Sequence, residues 1–200
     1  MKRFVPILLA LLLFDVELFA QYPQGSTPWF ISACIGEQHS GIRKEDFVKG
    51  NFSPIFVIEG GKYITPCFAI DLGIKGIWYN FISDEDKHYY TSLFCDLRFD
   101  IQNAIAYKED RVWNTQVYLG GGLMYNAYHG MVSPLGLLEY PDGRLQPIIN
   151  VGLSNLFRVS PKVQLGFDVG GICGWGLYQD SCDMIPSAFV RLVYSFPQKG

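Results

Sequence analysis

Hydrophobic and polar residues alternate along much of this chain with a period of two, the period of a strand, whose successive side chains point to opposite faces. Residues 163 to 177 carry the pattern most clearly. Val163, Leu165, Phe167, Val169, Cys173, Trp175 and Leu177 share one face, and Gln164, Gly166, Asp168, Gly170, Gly174 and Gly176 share the other, with Gly171 and Ile172 blurring it. At 91 to 101, Leu93, Cys95, Leu97, Phe99 and Ile101 oppose Ser92, Phe94, Asp96, Arg98 and Asp100. At 68 to 79, Phe68, Ile70, Leu72, Ile74 and Trp78 oppose Asp71, Gly73, Lys75 and Tyr79. At 116 to 126, Val117, Leu119, Leu123 and Tyr125 oppose Gln116, Tyr118, Gly120, Gly122 and Asn126. Weaker strands fit at 28 to 37, 54 to 62, 147 to 156 and 187 to 196, the last with Ala188, Val190, Leu192, Tyr194 and Phe196 opposite Ser187, Arg191 and Ser195. The pattern thus predicts an all-β chain of eight strands.

An even number of strands returns the chain to the side from which it started, as a single-chain bacterial membrane barrel requires. In an up-and-down antiparallel order, the connections at 38 to 53, 80 to 90, 127 to 146 and 178 to 186 then share one side, and they are long and polar. The other side has the tight turns Ile64-Thr65-Pro66 and Val159-Ser160-Pro161-Lys162, and a connection at 102 to 111 that is longer than a periplasmic turn should be. The long connections are expected outside the cell, and both termini in the periplasm.

Alternation does not say which face meets lipid, because a soluble barrel of the same size would turn its apolar face inward. Composition favours lipid: 49% of residues are apolar, 16% aromatic and only 18% charged, with 21 glycines. Trp29, Trp78, Trp113 and Trp175 all fall near ends of predicted strands, the level at which a membrane-interface girdle places amphipathic rings. The polar face carries glycine and few charges, as suits a cramped lumen. A net charge of −3 offers no broad basic field for nucleic acid.

The chain opens as an export signal does. Lys2 and Arg3 precede the apolar run from Phe4 to Phe14, and Ala20 stands where cleavage would fall. The run is too short for a spanning helix, which needs about 20 residues, and Asp15 and Glu17 interrupt it. Residues 1–20 are expected to be a signal peptide and 21–200 one outer-membrane barrel domain, with a non-lipidated start at Gln21. Cys34, Cys67, Cys95, Cys173 and Cys182 are scattered without a CxxC or histidines at ligand spacing, so neither a metal nor a cofactor is expected.

The charged groups in the strands are Glu59, Asp71, Asp96, Asp100 and Asp168 against Lys75, Arg98 and Arg191. Paired carboxylates can do acid–base work, but an eight-stranded barrel is about as wide as its own side chains need, and charges in a narrow interior are costly unless paired. The expectation is a lumen salt-bridge network in which Arg98 and Arg191 hold Glu59, Asp96, Asp100 and Asp168. No catalytic residue is expected: His39, His88 and His129 lie in separate predicted outer loops. Gly120-Gly121-Gly122 lacks the Lys-Ser/Thr of a phosphate loop, and Ser83-Asp84-Glu85-Asp86 lacks the spaced ligands of a calcium loop.

From Asp96 to Tyr178 the chain resembles the small outer-membrane β-barrel proteins of the Bacteroidetes type, related in architecture to the transmembrane domain of the OmpA family. The stretch DLRFDIQNAIAYKEDRVWNTQVYLGGGLMY is similar to that family's strand, periplasmic connection and following strand, and INVGLSNLFRVSPKVQLGFDVGG to a strand, tight turn and return with an inward acid. The resemblance implies a fold and a location, namely the bacterial outer membrane with its lipid and the barrel-assembly machinery as partners, and no catalytic residues. Such proteins often end at an aromatic residue, whereas here Phe196 is followed by Pro197-Gln198-Lys199-Gly200. Three roles follow. The first is a monomeric structural or surface-interaction protein that presents its outer loops to an unknown extracellular ligand on a plugged barrel. The second is a small channel or transporter for ions or amphiphiles, and the third an outer-leaflet lipid-modifying enzyme.

Overall fold

The computed structural model describes residues 28–39, 52–76, 80–81, 87–108, 111–129, 144–175 and 182–196. Eight long strands build the wall: β1 (Trp29–His39), β2 (Phe52–Tyr63), β3 (Phe68–Lys75), β4 (Lys87–Asp100), β5 (Trp113–His129), β6 (Arg144–Arg158), β7 (Val163–Trp175) and β8 (Cys182–Ser195). A short helix, α1 (Ile101–Ile105), follows β4, and Asn80–Phe81 forms a two-residue strand against His88 and Lys87. Each long strand pairs antiparallel with its neighbours in sequence, and β1 pairs with β8 from Phe30↔Ser195 to Gln38↔Ser187, which closes an up-and-down barrel. Closure removes the free strand edges that an open sheet would expose.

Several strands run further than the alternation alone predicts. Residues 38–39, 52–53, 87–90, 127–129, 144–146 and 182–186, expected in long connections, continue the ladders. Backbone pairing persists there after the period-two pattern has faded. Apart from Asn80–Phe81, the remainder of those connections, with Trp78 and the Ser83–Asp86 acidic run, lies outside the described residues.

At the opposite end two of the three connections are short. The two tight turns share a Ser/Thr-Pro device: Thr65 Oγ1 accepts from the Phe68 amide at 2.9 Å, and Ser160 Oγ accepts from the Val163 amide at 3.1 Å. The long connection after β4 contains α1, capped by Asp100, whose Oδ1 accepts from the Asn103 amide at 2.8 Å. Both barrel termini lie at this turn end, where the Phe196 amide donates to the Trp29 carbonyl at 2.8 Å.

The faces divide as the alternation predicts. Leu93, Leu97, Leu119, Leu165, Phe167 and Val169 point outward and are exposed, whereas Ser92, Asp96, Arg98 and Asp168 point inward and are buried. Ile172, which blurs the pattern in sequence, is an inward apolar residue, 1% exposed. It belongs to a feature the alternation does not predict: an apolar inner cluster with Ile55, Val57, Tyr90, Phe94, Met124, Ile148, Ile185 and Phe189 in the loop-proximal half of the barrel. A second inner cluster, Phe30, Ala69, Leu156 and Val193, lies toward the turn end. The charged groups occupy the belt between them.

Candidate functional site

The belt is built by inward positions of neighbouring strands: Ser32 on β1, Glu59 on β2, Asp71 on β3, Asp96 and Arg98 on β4, Asn150 and Ser154 on β6, Asp168 on β7 and Arg191 on β8, all buried. Glu59 is its centre. Arg191 approaches it with two nitrogens, Nη1 to Oε2 at 2.5 Å and Nη2 to Oε1 at 3.0 Å, while Arg98 Nη2 donates to Oε1 and Oε2 at 3.2 and 3.1 Å. One carboxylate therefore bridges two guanidiniums. Each arginine takes a second acid: Arg98 Nε donates to Asp71 Oδ2, and Arg191 Nε to Asp168 Oδ2 at 2.7 Å. Charge-assisted forks of this kind are the strong hydrogen bonds of protein interiors.

Neutral side chains complete the belt. Ser32 Oγ donates to Glu59 Oε2 at 2.9 Å and accepts from Arg191 Nη1 at 3.0 Å; Ser154 Oγ donates to Asp168 Oδ1 at 2.5 Å. The Arg98 guanidinium lies 4.8 Å from the centre of the Tyr118 ring, a cation–π arrangement that the dry surroundings strengthen.

Two of the expected pairings differ. Asp96 is held by Asn150, whose Nδ2 donates to Oδ2 at 2.6 Å, and Asp100 caps α1. Asp96 stands level with Asp71 and Gly120 in the register, but Arg98 gives its nitrogens to Glu59 and Asp71, whereas Asp100 lies further along the barrel, at the turn-end rim. Lys75 sits in the loop-proximal half, with Nζ 3.4 Å from Ser187 Oγ and 4.9 Å from the centre of the Phe189 ring. Periodicity assigns a face but not a level, and Ser32, Asn150 and Ser154 escape a reading that follows charges. Their signal was the shared inward phase.

Asp71 Oδ1, Asp96 Oδ1, Arg98 Nη1 and Asn150 Oδ1 have no hydrogen-bond partner among the described residues. Beside the belt is a cavity of about 10 Å³, lined by Glu59, Lys75, Tyr118, Asn150, Asp168 and Arg191 among others. That is close to the least space one water needs. Among the described residues no group of His, Cys, Asp and Glu is arranged to hold a metal ion.

Outside, the turn end carries aromatic rings. Trp29 and Trp113 are exposed there, Trp113 stacking on Phe157 at 6.3 Å and 10°. Phe68 and Phe99 meet at 4.9 Å, and Tyr194 and Phe196 at 5.2 Å. Trp175 closes β7 at the other end.

No protein-family model and no curated protein matches this sequence. Solved structures do match the fold. Neisserial surface protein A is similar with a TM-score of 0.54 at 11% identity, over 85% of this chain and 97% of that one. The N-terminal β-barrel domain of Pseudomonas aeruginosa OprF gives 0.53 at 13% identity, over 86% and 100% of the two chains. A major outer membrane protein from Thermus thermophilus gives 0.50 at 10% identity, over 86% and 100%. The chain thus has the eight-stranded, OmpA-like up-and-down architecture found in outer-membrane barrels.

Proposed function

We propose that this chain is an exported protein of the bacterial outer membrane, without enzymatic activity, that displays its long connections outside the cell on a barrel plugged by its own side chains. The observation that carries this reading is the division of the wall. Exposed leucine, valine and phenylalanine cover the outer face, while the inner face holds two guanidiniums and three carboxylates in mutual contact. In water such an exterior would aggregate, and in lipid it is the expected solvent contact. A rigid scaffold with variable, projecting loops is a common arrangement for recognition. The export segment 1–20, a monomeric state, assembly by the barrel-assembly machinery, an extracellular loop ligand and the Bacteroidetes-type affinity of residues 96–178 belong to this proposal.

Two measurements test it. The membrane-extracted protein should migrate faster before boiling than after, as folded barrels resist cold detergent, and protease added to intact cells should cut within 130–143 but spare Pro161-Lys162. Identical migration refutes the barrel in the membrane, and cleavage only after the outer membrane is opened inverts the topology. A channel is the second reading, favoured by the unpartnered polar atoms beside the small cavity, which water could join into a path. Single-channel conductance in planar bilayers would put it first.

A further inference from the structure

The exposed and half-exposed charged residues described at the turn end are Lys62, Lys108, Arg111, Arg158 and Lys162, with Asp100 buried beneath α1 and with Glu109 and Asp110 outside the described residues. Two of them, Lys62 and Lys162, bracket aromatic groups on the outer wall. Lys62 stands opposite Trp29 in the β1–β2 register with its Nζ 5.5 Å from the ring centre. The chain at Phe196 is bonded to Trp29, and Ser195 donates to the Lys162 carbonyl at 2.8 Å, which sets Lys162 on the far side of the Tyr194–Phe196 pair. Further round the wall the stacked Trp113 and Phe157 have no such bracket among the described residues: Arg111 Nη2 donates to the Ala106 carbonyl, and Arg158 falls on the inward phase of β6, on the face opposite Phe157.

The tips between them are apolar. Ile64, Val112 and Val159 are more than half exposed and Ile105 is 81% exposed, which is costly in water and favourable at the boundary of acyl chains and headgroups. Rings that prefer that boundary and cations at the same level fit a negatively charged lipid phosphate. We propose that the turn-end rim binds anionic phospholipid headgroups at one station, formed by Trp29, Tyr194 and Phe196 with Lys62 and Lys162. The proposal rests on the membrane reading above but not on any role of the loops. It assigns the rim a lipid class, the anionic phospholipids of the leaflet at the turn end.

The experiment uses the whole mature chain in nanodiscs containing equal phosphatidylglycerol and phosphatidylcholine, with retained lipid identified by native mass spectrometry. The wild type should retain phosphatidylglycerol preferentially, and the preference should fall by about fivefold or more in Lys62→Gln/Lys162→Gln, since one basic residue near an anionic surface is worth about a fivefold change in occupancy. High salt should weaken it in the same direction. Heat-modifiable migration of the variant checks that it folds, and Lys108→Gln, on the connection after β4 and away from the station, is the control. Equal retention of the two lipids by the wild type, or a preference untouched by the double change, overturns the proposal, the latter leaving the rim to a protein partner. A chain that does not insert at all overturns the membrane reading, a result distinct from insertion without lipid preference.

Discussion

The guanidinium of Arg98 rests on the ring of Tyr118, 4.8 Å from its centre, so the largest aromatic group of the belt is locked from one side by a cation. Its hydroxyl end is locked from the other. A side-chain carbon at Gly152 or Gly170 would come within 2.3 Å of the Tyr118 oxygen, closer than packed atoms allow. The two glycines form the seat that lets Tyr118 span the floor of the belt.

Valine at Gly170 should therefore unseat Tyr118 and disturb Arg98, at a cost of about 1 to 3 kcal/mol for overpacking. Gly121→Ala is the control, since the nearest atom to its added carbon is the Ile148 carbonyl oxygen at 3.7 Å. The urea midpoints of the refolded barrels should separate these two changes. Equal midpoints would mean that Tyr118 is not held there.

Removing Arg98 leaves Glu59 sharing one guanidinium and Asp71 without its cation. Breaking a buried pair in this way typically costs about 3 to 5 kcal/mol, whereas an exposed charge is worth about 1 or less. Arg98→Ala should lower the urea midpoint far more than Lys108→Ala, whose side chain is exposed at the rim. If stability holds and bilayer conductance rises instead, the belt is a gate and the channel reading takes precedence.

The outer face gives a depth test. Leu119 lies midway along β5, 60% exposed, while Ile105 is on α1 at the turn end. Arginine on a lipid-facing strand costs about 2 to 4 kcal/mol at the bilayer midplane and about 0 to 1 near the interface. Leu119→Arg should therefore reduce the yield of folded barrel in lipid vesicles sharply, and Ile105→Arg should leave it nearly unchanged. Similar yields would contradict the assignment of this face to lipid.

The strands were legible wherever one face is apolar and the other carries charge or glycine, as in β4 and β7. They were weaker where both faces are apolar: in β2 the run Ile55-Phe56-Val57-Ile58 has no period, because Ile55 and Val57 feed the inner cluster while Phe56 and Ile58 point out. The membership of the charged belt could be read from phase, since phase decides inside from outside. Its pairings could not, because they depend on register between strands: Asp71 meets Asp96 across β3 and β4 only once the pairing of those strands is fixed. Tyr118 and its two glycines come from three strands, and no local pattern links them.

Asp100 separates the two readings of its role most directly. Periodicity points it inward with Asp96 and Arg98 and suggests a carboxylate held by arginine, yet its oxygens accept from the Asn103 amide at 2.8 Å and from Asn103 Nδ2 at 3.1 Å. Asn103 Nδ2 also lies 3.3 Å from the Pro66 carbonyl, so the capped helix ties the connection after β4 to the turn between β2 and β3. Asparagine caps helices about as well as aspartate, whereas loss of the cap to alanine costs about 0.5 to 2 kcal/mol. Asp100→Asn should then leave the urea midpoint nearly unchanged, and Asp100→Ala should lower it and speed amide exchange at Asn103. An ion-paired Asp100 would give a different pattern, with both changes removing the charge and costing alike. Equal losses in asparagine and alanine would therefore return Asp100 to the charge network and reject the cap as its main role.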